Sequence, residues 1–575
     1  MRKIRIAGLI AAAATLASLA LLAATLFDDG VSSTPARASS FAPPQSPGCA
    51  NRTDGQNIRV TQDCGFRNQS EEKIAYDPNA PLHFVAASND FRTGFNKTSI
   101  QWSVDGGIHW GDVEEPFQHK LNFPELELPK PGDPNRHTIG GDPGTGRGYE
   151  HCSDPSVAWD SGGRVFYSCV AFDSNFESSL LGVGVSPPGA NGSYFTDIST
   201  RSRIGIVAED NNPTIFNDKE LLAADTSPSS PNRDNIYIVW TVLPGFGDVF
   251  EGPTYAAMST DHGRTWSTPE RINGSSPRLC PTGDSNKSEC DRSYAPAPAV
   301  LPDGTLVVVF YNHNLPGQDA QYLAVRCHPL GSSPDGTATT HCGNPVKVAN
   351  VVRTGEPQCD FGSRFQEECV PGPFLALEDD PQLAVQPQSG QLYVAWQDYR
   401  NGEYDIQLSR SLNRGASWSP GQTVNPDRNL DHYLPAVAVS PGPDGDRIGV
   451  SYYRSQRIPN ENTPPPNGFE QGSGEAGSAS SDYVLAGGTS SAPLPWPFAV
   501  ISPTFQPPDQ ATFIGDYTGL VISPDGRAHP IWADTRNPDP YGAIEGWTRD
   551  LDVFTDNVQL PSGNAGPQTG RIGAR

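Results

Sequence analysis

The chain has 575 residues, 18% of them charged, with 58 glycines and 56 prolines. So many turn formers disfavour long helices and favour many short strands. A formal net charge of −25 keeps the chain soluble and repels polyanions, which makes nucleic acid a poor partner.

Taken in chain order, Arg2, Lys3 and Arg5 precede an uncharged, Ala- and Leu-rich stretch from Ile6 to Phe27, followed by Ala36-Arg37-Ala38. Residues 1–38 therefore read as an export signal with a cleavage site of small residues. About 20 apolar residues also suffice to cross a bilayer, so a retained membrane anchor is the alternative. Either way the folded part is secreted or extracytoplasmic. Residues 39–56 read as a linker, 57–560 as one domain, and 561–575 as a flexible tail. The ten cysteines fall as neighbours, Cys49 with Cys64, Cys152 with Cys169, Cys280 with Cys290, Cys327 with Cys342 and Cys359 with Cys369. Short separations and an even count point to local disulfides formed in an oxidising compartment.

From Lys73 onward one pattern recurs seven times: an apolar segment, a turn, then a β-branched or aromatic segment. KIAYDP with LHFVAAS begins the series and TGLVISPDG with RAHPIWAD ends it. Each pair is a β-hairpin, and each unit runs on to a third segment such as GPTYAAMS. Repeated units of about four strands are propeller blades. The seventh unit stops after its third strand, so the segment Asn57 to Asp63 is expected to supply the missing fourth and protect an open edge.

Three units share a mark where the third strand ends: Ser103-x-Asp105-x-Gly107-x-x-Trp110, Ser259-x-Asp261-x-Gly263-x-x-Trp266 and Ser411-x-Asn413-x-Gly415-x-x-Trp418. Asp or Asn can accept from turn N–H groups, Gly supplies a positive φ, and Trp buries a ring. With these motifs the chain resembles the sialidase-like BNR-repeat, Asp-box β-propellers. The resemblance implies an all-β, single-domain propeller. Seven four-stranded blades follow from the unit count, and six is the alternative that sialidases proper suggest.

Loop parity then sorts the residues. In a four-stranded antiparallel blade the loop between strands two and three emerges opposite the Asp-box turn, together with the blade-to-blade junctions. Long insertions, 111–150, 273–292, 350–378 and 459–481, fall mostly on that face, which makes it the expected binding face. Three of its loops carry Asp-x-Arg: Asp90 with Arg92, Asp398 with Arg400, and Asp534 with Arg536. Junction residues Asp154, Asp218, Glu220, Asp380, Asp431, His432 and Asp516 add a polar ring around the axis.

Each Asp-x-Arg reads either as a salt-bridged loop clip or as a functional pair. The sialidase resemblance implies three arginines gripping a substrate carboxylate bidentately, an acid, and a Tyr nucleophile. Arg92, Arg400 and Arg536, pointing to the axis, would be the cluster. Asp90, Asp398 or Asp534 would be the acid, and Tyr453 or Tyr517 the nucleophile. The chain would then be a glycoside hydrolase of sialidase type, a monomer whose partner is a glycan or glycoconjugate. The alternative is a non-catalytic propeller that binds a glycan or surface protein. No organic cofactor is expected, and calcium on the junction carboxylates is a third option.

Overall fold

The computed structural model describes residues 57–62, 67–117 apart from 93 and 95, 149, 151–195, 205–244 apart from 211, 252–281, 288–313, 320–330, 339–360 apart from 354, 366–457, 479–508, 513–538 and 549–561. The expected signal or anchor, the linker and nearly all of the tail lie outside these residues, as does the Cys49–Cys64 pairing. No described helix is long and apolar enough to cross a membrane.

The described residues form strands and no helices, arranged in eight small sheets. Seven of the sheets coincide with the seven hairpin units. The first runs Gln69–Asp77, Ala80–Asp90, Lys97–Ser103 and Gly111–Glu114. The second is His151–Trp159, Val165–Phe172, Ser179–Ser186 and Gly205–Asp210. The third is Phe216–Ala224, Ile236–Leu243, Thr254–Ser259 and Glu270–Arg271. The fourth is Ser293–Val300, Leu306–Asn312 and Gln321–Leu330, with both Thr339–Cys342 and Val346–Asn350 paired to its third strand. The fifth is Gln382–Val385, Leu392–Asp398, Asp405–Ser411 and Gln422–Thr423. The sixth is Leu430–Ser440, Arg447–Gln456, Ser481–Thr489 and Phe498–Val500. The seventh holds Gly519–Ile522, Arg527–Pro538 and Arg549–Thr555. A three-stranded insert, Gln358–Asp360, Gln366–Val370 and Leu375–Ala376, stands between the fourth and fifth. One expected insertion begins later than its sequence suggested, because Gly111–Glu114 is a fourth strand.

The seventh sheet is completed from the other end of the chain. Ile58 pairs with Thr555 and Arg59 with Phe554, antiparallel, so the Asn57 segment supplies the strand the unit lacked. First strands of successive sheets pack against one another in chain order, and Gly519–Ile522 packs back on Gln69–Asp77. The first strands are thus the inner ones and the fourth strands the outer ones. Apolar residues fill the seams between sheets. Trp240, Trp396 and Trp532, fully buried, hold matching places on the second strands of the third, fifth and seventh.

The three motif turns share one hydrogen-bond scheme. Gly107, Gly263 and Gly415 have φ of 82°, 80° and 81°, a conformation that costs other residues strain. Their N–H groups donate to Ser103, Ser259 and Ser411 Oγ at 3.0, 2.8 and 2.8 Å. Asp105, Asp261 and Asn413 Oδ1 each accept from the N–H four residues on at 2.9 Å. Four disulfides form between the expected neighbours, Cys152–Cys169, Cys280–Cys290, Cys327–Cys342 and Cys359–Cys369. Such cross-links form and persist in oxidising compartments.

Candidate functional site

Five first strands carry a β-bulge at the same place, between Ser70 and Lys73, Ser153 and Ser156, Asp218 and Leu221, Tyr294 and Ala297, and Tyr433 and Ala436. In each, the first bulged residue is left-handed: Glu71 at φ 61°, Asp154 at 58°, Lys219 at 54°, Ala295 at 46° and Leu434 at 50°. A bulge re-aims the side chain it carries, and non-Gly residues with positive φ cluster where the surroundings hold them for a purpose. Here the innermost strands turn Glu71, Asp154 and Lys219 toward a common centre, where the junctions add Glu378, Asp380 and Asp516.

Lys219 is the hub, its side chain only 4% exposed. Its Nζ lies 3.0 Å from Glu378 Oε2, 3.7 Å from Asp380 Oδ2 and 3.9 Å from Asp154 Oδ2, and it is ion-paired with Asp516. Lys73 Nζ stands 3.9 Å from the centre of the Tyr517 ring, a cation–π contact, and 3.5 Å from Gln382 Oε1. Asn89 ties the first two sheets into the cluster, donating to Glu71 and to Ser153 Oγ at 3.2 Å while its Oδ1 accepts from the Asp154 N–H at 3.2 Å.

Burial and crowding of like charge set the protonation. Burial, then the Asp154 charge, pushes the Asp218 carboxyl up to about 7. Burial, then Asp154 and Asp516, holds Glu71 well above the carboxylate range. Glu72 and Glu220, wholly buried beside these positions, are pushed up chiefly by burial. Burial also lowers Lys73 to about 8. Burial opposes charge on Lys219 as well, but Asp380, Asp516 and Glu378 outweigh it and hold its ammonium well above the usual range. Lys73, Asp154, Lys219, Glu220, Asp380 and Tyr517 line a cavity with room for about one water molecule.

The residues singled out from the sequence divide into those at this centre and those away from it. Asp154, Asp380 and Asp516 do form a polar ring, and Tyr517 stands at its wall. Asp431 and His432 belong to a separate network: Asp431 accepts from the Tyr404 N–H at 3.1 Å, and His432 Nε2 is 3.0 Å from Asp427.

The three arginines lie opposite the motif turns, as loop parity required, but they do not point to the axis. Arg92 binds its own Asp90 at 2.5 Å and reaches Asp112 on the outer strand at 2.9 Å. Arg400 Nε lies 2.8 Å from Asp398 Oδ1, and its Nη2 donates to the Asn350 carbonyl at the outer edge of the fourth sheet at 3.2 Å. Arg536 binds Asp534 at 2.5 Å and Asn57 Oδ1 at 2.8 Å, with its guanidinium 3.8 Å from the centre of Phe554. The indoles of Trp396 and Trp532 donate to Asp398 and Asp534 at 3.0 and 2.9 Å, which fixes the carboxylate for its arginine. Each trio is a loop clip. Tyr453 is sealed as well: fully buried, its hydroxyl donates to the Ala533 carbonyl at 2.7 Å and accepts from the Ala533 N–H at 3.1 Å.

Sequence reading missed Lys219, Lys73, Glu71 and Glu378. A signal was present. Asp154-Pro155, Ala295-Pro296, Asp380-Pro381 and Leu434-Pro435 recur just before the apolar run of a unit's first segment, and Glu71-Glu72 and Lys219-Glu220 occupy the same place in their units.

No family model matches the chain, and no characterised protein matches it in sequence. Among solved structures, the chain is similar to the phage phi92 endosialidase at 10% identity and a TM-score of 0.40, over 90% of this chain and 71% of that one. It is similar to the NanB sialidase of Streptococcus pneumoniae at 10% and 0.36, over 88% and 71%. A third is the α-L-arabinanase of Penicillium chrysogenum, at 13% and 0.38, over 69% and 93%. These structural neighbours are glycoside hydrolases. Likeness at this level carries no argument about what the present chain acts on, which rests on its own residues.

Proposed function

We propose that the chain is an exported seven-bladed propeller acting on glycans at its axial face, as a glycoside hydrolase. The observation that carries this reading is the convergence on Lys219 of Asp154 from the second sheet and of Asp380 and Asp516 from two junctions, with Asp218 beside them. Glycoside hydrolysis asks for one carboxyl that holds a proton near neutral pH and a second that is charged. Asp218, raised by burial, suits the first role, and Asp516, paired with Lys219, suits the second.

The substrate class we infer is a neutral glycoside rather than a sialylated one. An exo-sialidase holds a carboxylate with arginines, whereas Arg92, Arg400 and Arg536 are clipped to their own aspartates, and the axis carries more acids than lysines. The narrow cavity favours a second reading, a non-catalytic propeller that binds a glycan with its rim loops. A panel of neutral and sialylated glycosides, offered to wild type and to Asp516→Asn, separates the two. Release of neutral sugar that disappears in Asp516→Asn supports the hydrolase. Glycan binding without release supports the binder, and neither binding nor release removes both readings.

A further inference from the structure

We propose that the axial cavity beside Lys219 is a subsite for one hydroxyl group of a neutral sugar: the hydroxyl donates to Asp380 Oδ1, and Tyr517 and Lys73 donate to its oxygen. The inference rests on the reading that the axial face takes a neutral glycan, and it adds the group by which that sugar is selected.

Two buried polar atoms in the cavity wall lack partners. Asp380, its side chain 8% exposed, spends Oδ2 on Lys219 at 3.7 Å, while its Oδ1 is buried and makes no hydrogen bond among the described residues. Tyr517 is 3% exposed, and its hydroxyl is likewise buried without a hydrogen bond among those residues. Both residues line the same water-sized space. Buried polar atoms are normally satisfied, so two left open at one cavity mark a place that receives a polar group from outside. Lys73 adds a third function. Its Nζ lies 3.5 Å from Gln382 Oε1 and 3.9 Å from the centre of the Tyr517 ring, contacts that leave N–H donors of the ammonium to spare. Lys73 and Gln382 are half-buried, so the cavity meets solvent on their side.

The pattern of donors and acceptors selects the ligand. Burial, then the charges of Glu71 and Asp154, holds the Tyr517 phenol well above its usual range, so it keeps its proton and can donate. One acceptor set against two donors matches a hydroxyl, which gives one hydrogen bond and accepts up to two. An anion would meet Asp154 and Asp380 here, and a metal ion would meet the ammonium groups of Lys73 and Lys219. Room for about one water molecule suffices for a hydroxyl and is too little for a sugar ring.

The test uses the full chain with its disulfides intact and the 4-nitrophenyl glycosides of glucose, galactose, mannose, xylose and arabinose. For the glycoside released fastest, or bound most tightly where nothing is released, one monodeoxy analogue should lose at least about 100-fold in kcat/KM or affinity, because a site built to bond a hydroxyl rejects the analogue without it. Tyr517→Phe, which removes a single oxygen, should lose roughly 10- to 100-fold on the parent glycoside. On that deoxy analogue the same variant should lose less than about threefold, since analogue and variant delete one shared contact. The analogue series needs no variant, so it decides even if Tyr517→Phe fails to fold. Equal performance of the parent and every deoxy analogue, or Tyr517→Phe at the wild-type level, would overturn the subsite and leave the glycan reading in place, with water alone in the cavity. Neither release nor binding of any of these glycosides would remove the glycan reading, and the subsite with it.

Discussion

Lys219 Nζ lies 3.0 Å from Glu378 Oε2 in the centre of the protein, where its ammonium is the counter-charge for Glu378, Asp380 and Asp516, delivered by two junctions. Removing one partner of a buried ionic cluster is far more damaging than never having had it, because the remaining charges stay buried and uncompensated. Lys219→Met should therefore destabilise the fold by about 3–5 kcal/mol. The check is chemical denaturation of the variant beside wild type. A loss under about 1 kcal/mol would mean that the acids do not depend on this lysine.

Asp218 makes stability depend on pH. Its folded value, about 7, lies above the unfolded value of about 4, so the native state holds a proton that the unfolded chain has released. Its contribution is fully present below about pH 4 and is lost as pH rises to about 7. Asp218→Asn removes this, and unfolding free energies measured across that window should fall less steeply, by up to about 1.4 kcal/mol per pH unit. Parallel curves for the two proteins would rule the effect out.

Arg536 shows how far the sequence was legible. Spacing and hairpin parity placed Arg536, Arg400 and Arg92 on the correct face, because strand alternation and turn order fix which end of a sheet a loop leaves. They do not fix where a long side chain points. That choice went to partners close in sequence: Asp534 two residues before, Trp532 two before that, and Phe554 beneath the guanidinium. The axial residues were harder to read for a different reason. Glu71, Asp154 and Lys219 owe their direction to bulges, which break the two-residue period on which strand reading depends. Four of the neighbour disulfides and the closing strand were legible because they follow from chain proximity and an unpaired edge.

As a clip, Arg536→Ala should cost about 1–3 kcal/mol, since Asp534 is left buried without its charged donor. Glycan binding or turnover should stay at the wild-type level. Paired melting and activity measurements distinguish this from a substrate-binding role, in which turnover would collapse while the melting point held.

The closing strand is the last and widest test of the architecture. Ile58 and Arg59 pair with Thr555 and Phe554, and Val60 continues the ladder by donating its N–H to the Val553 carbonyl at 2.8 Å. Three side-chain contacts lock the strand: Asn57 accepts from Arg536 at 2.8 Å and donates to the Ile501 carbonyl at 2.8 Å, while Arg59, 1% exposed, is ion-paired with Asp552. This strand joins the two ends of the described chain, so its loss exposes the edge Arg549–Thr555 and leaves the seventh sheet without its outer strand. Arg59→Ala strands the Asp552 carboxylate in the interior and should cost about 3–5 kcal/mol. Arg59→Ala/Asp552→Ala removes both charges and should recover a large part of that loss. The double variant makes the outcome specific: if it is no more stable than Arg59→Ala alone, the damage comes from lost packing at the strand and not from a buried unpaired charge. Protease digestion supplies the second reading, with cleavage in Arg59→Ala expected first around the seventh sheet. Unchanged melting and digestion in Arg59→Ala would mean that the N-terminal strand does not hold the seventh sheet in place.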